Sequence, residues 1–275
     1  MAGSSLRVAL VGCGRISRNH FEAIASTPGV ELSAVCDVIP ERADAAARAL
    51  GVPAFTSYEE MLRDATCDIV SVTTPSGLHP VHAEMAARSG KHVVCEKPMA
   101  ISIEAADAMM RVCDEAGVRL FVVMQNRLNP AVQLLRRAID KGRFGRIYTV
   151  NSTVRWTRPQ EYYDQADWRG TWALDGGAIM NQASHYVDLM QWLAGPVESV
   201  MAYTATLARQ IKAVALVLTG TQPIERAIST AGGVALSAVD DAFVWIAFAI
   251  EEGTHLGTGV GGPKVAAVLG VARAR

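Results

Sequence analysis

Three groups of residues in this chain have types and spacings that could do chemistry. The first is Glu96-Lys97-Pro98, which closes the apolar run Val93-Val94-Cys95. Pro98 ends the strand and pushes Lys97 toward an extended conformation. A lysine held there can act as a general base if burial lowers its pKa toward neutrality. The second is Gly12-Cys13-Gly14-Arg15-Ile16-Ser17. Two glycines at this spacing allow a tight turn and let a diphosphate approach backbone N–H groups at a helix start. The third is Asn181, His185 and Asp188, at i, i+4 and i+7 on one face of a predicted helix. An imidazole there could deprotonate or orient a hydroxyl.

The elements around these groups decide whether they converge. Leu6–Val11 is continuous and apolar, as a strand covered on both faces should be. A helical pattern follows from Ile16 to about Ser26, then a strand over Glu31–Cys36 that ends at Asp37. An acid about 20 residues beyond the glycines accepts the ribose hydroxyls of NAD and repels the extra phosphate of NADP. Helices are predicted over Pro40–Leu50, Tyr58–Arg63, Val81–Ser89 and from Ser102, as cap, to Ala116, with strands over Ile69–Val72, His92–Cys95 and Arg119–Val123. That alternation predicts an α/β fold: a doubly wound parallel sheet with right-handed crossovers, the Rossmann arrangement. Thr74, Pro75, Ser76, Glu96, Lys97 and Gln125 then all fall at carboxyl ends of strands, the ligand edge of such a sheet. With Gly12, Gly14, Arg15, Ile16 and Asp37, all of these but Ser76 are the predicted cofactor contacts. His79 and His82 lie near this edge and are read as helix-start residues.

The pattern changes after Gln125. Pro130–Asp140 reads as a helix, Arg146–Trp156 and Val197–Thr206 as strands of an antiparallel sheet, and Trp156–Trp172 as an aromatic, polar substrate loop. Gly176-Gly177 opens a long predicted helix through Trp192. Arg155 and Arg158 suit a diphosphate or a uronate, because guanidinium binds both bidentately. The expected division is 1–124, a nucleotide-binding domain; 125–210, an α+β substrate domain that looks truncated; and 211–275, a divergent tail of nine glycines with few strand patterns, much of it expected to be irregular or loosely packed.

Bulk properties narrow the partners. The chain has 275 residues, half of them hydrophobic, and a formal net charge of -1. No basic block points to nucleic acid or an anionic membrane. No run approaches the roughly 20 apolar residues of a membrane span, and no secretory segment opens the chain, so the cytoplasm is the expected compartment. The five cysteines are odd in number and widely spaced, so we read them as reduced thiols and expect no metal site.

Taken together, Gly12-x-Gly14 with Asp37, Glu96-Lys97-Pro98, and Asp175-Gly176-Gly177 with His185-x-x-Asp188-x-x-x-Trp192-Leu193 resemble the glucose–fructose oxidoreductase/inositol dehydrogenase (Gfo/Idh/MocA) family over roughly residues 5–210. Asp167-Trp168-Arg169-Gly170-Thr171-Trp172 and Met180–Asp188 look most like its UDP-N-acetylglucosaminuronic acid 3-dehydrogenase branch, of bacterial surface-polysaccharide synthesis. The resemblance implies oxidation of a sugar C3 hydroxyl with NAD as cofactor, a nucleotide-sugar substrate and a homo-oligomer. It implies Lys97, His185 and Asn181 as catalytic and substrate contacts, to which the guanidinium reading adds Arg155 and Arg158. The alternatives are a dehydrogenase of a free sugar or inositol, or a non-catalytic NAD-binding protein. Many family members carry Asp where this chain has Asn181, so His185 loses an anionic partner and Lys97 gains weight as the base. Beyond about residue 210 the likeness is expected to stop. Part of residues 214–239 resembles a late flavoprotein segment, without the glycine-rich loop a flavin site needs.

Overall fold

Val8, Ala9, Leu10 and Val11 are all buried, as expected of a strand covered on both faces. This strand, β1 (Leu6–Val11), is the centre of a sheet in the computed structural model, which describes residues 5–148, 150–154, 158–197, 199–204, 244–250 and 265–271. The chain divides into two compact units: Met1–Val123 with Ala173–Gly176, and Met124–Trp172 with Gly177–Arg275.

The first unit adds α1 (Ser17–Ser26), β2 (Val30–Cys36), α2 (Pro40–Leu50), β3 (Ala54–Phe55), α3 (Tyr58–Asp64), β4 (Ile69–Val72), α4 (His79–Arg88), β5 (His92–Cys95), α5 (Ile103–Glu115) and β6 (Leu120–Val122). All strand pairs are parallel, in the order β3-β2-β1-β4-β5-β6. The order reverses between β1 and β4, which opens a crevice at their carboxyl ends. Local chemistry sets the helix limits. Pro40 occupies the first turn of α2, where its missing N–H costs nothing. Ser57 and Ser102 cap α3 and α5 by accepting the N–H groups of Glu60 and Ala105, each cap worth about 1 kcal/mol. The core joins Ala9, Val11, Ala34, Val70, Val72 and Val93 of the sheet to Met61, Ala83 and Met109 of the helices.

The second unit contains α6 (Pro130–Asp140), β7 (Ser152–Val154), α7 (Gln160–Asp164), α8 (Ser184–Ala194), β8 (Ser199–Thr204), β9 (Val244–Ile250) and β10 (Val265–Val271). Its sheet runs β7-β10-β9-β8, with β10 parallel to β7 and the other pairs antiparallel. Two of the four strands come from beyond residue 210, in the stretch expected to be largely irregular; the rest of that stretch lies outside the described residues. Of the predicted strand Arg146–Trp156, the described residues form strand at Ser152–Val154, and the predicted aromatic loop contains the short helix α7. The predicted helix through Trp192 is helical from residue 177 onward but not uniform: Ile179–Ala183 form a π-helical turn within it, ahead of α8. Asn181 lies on that turn, so the α-helical i, i+4 relation to His185 does not hold.

Candidate functional site

The glycine loop follows from the backbone it must fit. Gly12 has φ +99°, and an ideal Cβ on it would lie 2.8 Å from the Thr73 carbonyl carbon and oxygen. The fold itself therefore demands glycine there. An ideal Cβ on Gly14 would meet nothing within 4 Å. The open volume beside Gly14 is the room a diphosphate needs at this loop and helix start, so these residues fit a dinucleotide. Ser17, in place of a third glycine, is buried and its hydroxyl donates to the Gly14 carbonyl at 2.6 Å. No side chain caps the start of α1, and Arg15 beside it is exposed.

Asp37 directly follows β2, is buried, and accepts two backbone N–H groups. Cys13 donates to its Oδ2 at 2.8 Å and Ile39 to its Oδ1 at 2.9 Å. Each carboxylate oxygen has a second lone pair, so ribose hydroxyls can still be accepted. Burial, with Asp37 next in weight, pushes the Cys13 thiol up to about 12, so it stays protonated.

At the end of β4, the Thr73 hydroxyl donates to the Val11 and Gly12 carbonyls at 3.0 and 2.7 Å, locking the two loops together. Thr74 and Pro75 follow, and Ser76 is buried. The Thr74 hydroxyl pairs with His82 Nδ1 at 2.9 Å. His79 is more than a helix-start residue: it is fully buried, with Nδ1 2.7 Å from the Pro98 carbonyl oxygen and Nε2 2.8 Å from that of Thr74. It ties the β4 loop to the segment after β5. Burial pulls its pKa below the ordinary 6.5, against the opposing pull of those carbonyls.

Glu96 and Lys97 stand at the carboxyl end of β5. The Glu96 N–H donates to the Val72 carbonyl at 2.9 Å, and Glu96 Oε2 accepts the Lys97 N–H at 3.0 Å. Lys97 is half-buried, and the peptide bond to Pro98 is cis. Two neighbours escaped the sequence reading. His20 Nε2 lies 3.0 Å from Glu96 Oε1, and its Nδ1 lies 2.8 Å from Ser71 Oγ. The signal was Ser71 itself, a hydroxyl in a buried strand, which requires a partner. Residues 173–176 also belong to this unit: the Leu174 carbonyl accepts the Gly77 N–H at 3.1 Å, and Asp175 is buried.

In the second unit, His185 is buried at the start of α8, with Nε2 3.4 Å from the Gln125 amide nitrogen. Asp188, one turn on, is paired with Arg127, whose Nε donates to Oδ2 at 2.8 Å. Asn181 Oδ1 accepts from the Gln182 amide at 3.1 Å. The Arg158 guanidinium donates to Gln182 Oε1 through Nε and a terminal nitrogen, at 3.1 and 2.7 Å, and lies over the Tyr162 ring. Arg155 lies outside the described residues.

Comparison with known proteins follows this division. A family model described as an oxidoreductase family with an NAD-binding Rossmann fold (Gfo/Idh/MocA) matches residues 6–124, and the C-terminal domain model of the same family matches 132–249. The likeness thus runs beyond residue 210, where the sequence reading ended it. The WlbA dehydrogenase of Bordetella pertussis, solved with NADH and UDP-GlcNAcA, is 46% identical with a TM-score of 0.81, over 98% of this chain and 71% of that one. The WlbA dehydrogenase of Chromobacterium violaceum, solved with the same two ligands, is 43% identical with a TM-score of 0.82, over 99% of this chain and 68% of that one. The inositol 2-dehydrogenase of Rhizobium meliloti is 31% identical over 206 residues, covering 74% of this chain and 59% of that protein.

Proposed function

We propose, from the premise that this chain belongs to the Gfo/Idh/MocA oxidoreductase family, that it oxidises the C3 hydroxyl of a UDP-N-acetylhexosaminuronic acid with NAD. The observation that carries this reading is Lys97, fixed by Glu96 at the sheet edge that also holds the Gly12–Gly14 loop. The likeness to the two dehydrogenases solved with NADH and UDP-GlcNAcA supports the choice of substrate.

Gly12, Gly14, Arg15 and Ile16 would hold the diphosphate of NAD, and Asp37 its adenosine ribose. Thr74, Pro75, Glu96, Lys97 and Gln125 would line the nicotinamide end. Bound NAD supplies the hydride acceptor. Lys97 takes the proton of the substrate hydroxyl as general base, a role worth about 10²–10⁴ in rate. His185 orients the hydroxyl instead of deprotonating it. Asn181 is neutral, and the nearest carboxylate on its helix, Asp188, is committed to Arg127. Arg155 and Arg158 bind the diphosphate or the uronate, with Gln182 anchoring Arg158.

The likeness to inositol 2-dehydrogenase favours a second reading, oxidation of a free polyol or sugar. NADH absorbance with a panel of UDP-hexosaminuronates, free uronates and inositols separates the two. Turnover that requires the UDP group supports the first. Turnover of inositol alone would replace it with the second.

A further inference from the structure

We propose that His20 is a positioning residue for Lys97, acting through Glu96. The proposal rests on the reading of Lys97 as the proton acceptor. Three elements meet at this histidine. His20 lies on α1, the helix that follows the glycine loop; Ser71 lies in β4; Glu96 follows β5. Ser71 and Glu96 are 2% and 5% exposed, so water does not satisfy them and each needs a protein partner.

A neutral imidazole satisfies the whole chain in one tautomer. The Ser71 hydroxyl donates to Nδ1 at 2.8 Å, and Nε2–H donates to Glu96 Oε1 at 3.0 Å. The other carboxylate oxygen, Oε2, accepts the Lys97 N–H at 3.0 Å. The reverse tautomer would aim a lone pair at a carboxylate. Burial alone would raise the pKa of Glu96. The hydrogen bonds from His20 and from the Lys97 N–H counter it, and the carboxyl is held below its ordinary range. The carboxylate is then fixed through both oxygens, and the peptide plane that starts Lys97 is fixed with it. On the far side, His79 holds the Pro98 carbonyl. The lysine is therefore gripped by residues on both sides, and one grip originates on the cofactor-loop helix. Misplacing a reacting group by about 1 Å costs on the order of 10²-fold in rate.

The test has two arms on the full chain. In the first, kcat, KM, NADH affinity and the pH profile of kcat are measured for His20→Ala and His20→Gln. His20→Ala should lower kcat by about 10- to 100-fold with KM and NADH affinity nearly unchanged. Its acid limb should move to higher pH as Glu96 loses its donor. His20→Gln, whose amide reaches the carboxylate, should restore most of both. Unchanged kcat and pH profile in His20→Ala would overturn the proposal. So would a loss of activity that merely follows a loss of folded protein and is not rescued by His20→Gln. The second arm needs no turnover: long-range ¹H–¹⁵N spectra should show His20 as the Nε2–H tautomer, perturbed by Glu96→Gln. An Nδ1–H tautomer would overturn the proposal whatever the activity. If no sugar is turned over but the Nε2–H tautomer is present, the linkage stands and the reading of the substrate has failed.

Discussion

Gly77 lies so close to Ala173 that an ideal Cβ on the glycine would sit 1.9 Å from the Ala173 carbonyl oxygen. Backbone cannot yield as a side-chain tip can, so Gly77→Ala must displace residues 173–176 or the turn before α4. We expect a loss on the order of 1–3 kcal/mol or more, read by urea unfolding. An unchanged midpoint would mean that the segment adapts freely.

Gly12 and Gly14 should respond in opposite ways. Gly12→Ala collides with Thr73 at a positive φ and should lower both stability and NADH affinity. Gly14→Ala meets no protein atom and should leave the melting temperature unchanged while weakening NADH binding by tenfold or more, about 1.4 kcal/mol. Calorimetry showing native affinity in Gly14→Ala would remove the diphosphate from this loop.

Asp37 has two jobs. Asp37→Ala should relax the preference for NAD over NADP, measured as a ratio of dissociation constants. It should also destabilise the chain by about 1–3 kcal/mol, because the Cys13 and Ile39 N–H groups lose a charged acceptor. Tighter NADP than NAD binding by the unmutated protein would contradict the assignment.

Lys97→Met should lower kcat by about 10²–10⁴-fold with NADH affinity nearly intact. His185→Asn should cost less. The reverse ranking, measured with the UDP-uronate, would make His185 the base.

Stability should fall as pH drops below about 6.5, the ordinary histidine value. Burial lowers the pKa of His79 and, with His79 itself, that of His82, so the unfolded chain binds protons before the folded one does. Glu96 is depressed too, so its contribution is present above about pH 4.5 and is lost in still more acid solution. Chemical denaturation between pH 7.5 and 5 should show the first slope, and His79→Gln should flatten it. A flat profile in the unmutated protein would show that these rings are not held neutral.

Much of the first unit was legible because its signals are local. Leu6–Val11, Gly12-x-Gly14 and Asp37 lie in one strand–turn–helix–strand stretch, and Ser102 announced its own cap. The unread parts depend on distant contacts or have no residue-type signature. Ala54–Phe55 is too short for a period. Ser71 and His20 are 51 residues apart and meet only in the fold. The π-helical turn at Ile179–Ala183 replaces one hydrogen-bond register with another and leaves Asn181 and His185 at an apparently helical spacing. Val244–Ile250 is apolar throughout and carries no alternation to mark it as a strand. Val265–Val271 was hidden by alanine and glycine, which favour strands poorly.

The place of β10 has a consequence for synthesis at the ribosome. Its seven residues lie between β7 and β9, and Leu269 faces Ser152, a partner made more than a hundred residues earlier. Until the strand at 265–271 has left the exit tunnel, none of the described strands can pair with β7. The order of birth is then the order of folding. The parallel sheet of the first unit can close early and wait for its late piece, 173–176, while β7 stays without its β10 partner until more than a hundred further residues have been added.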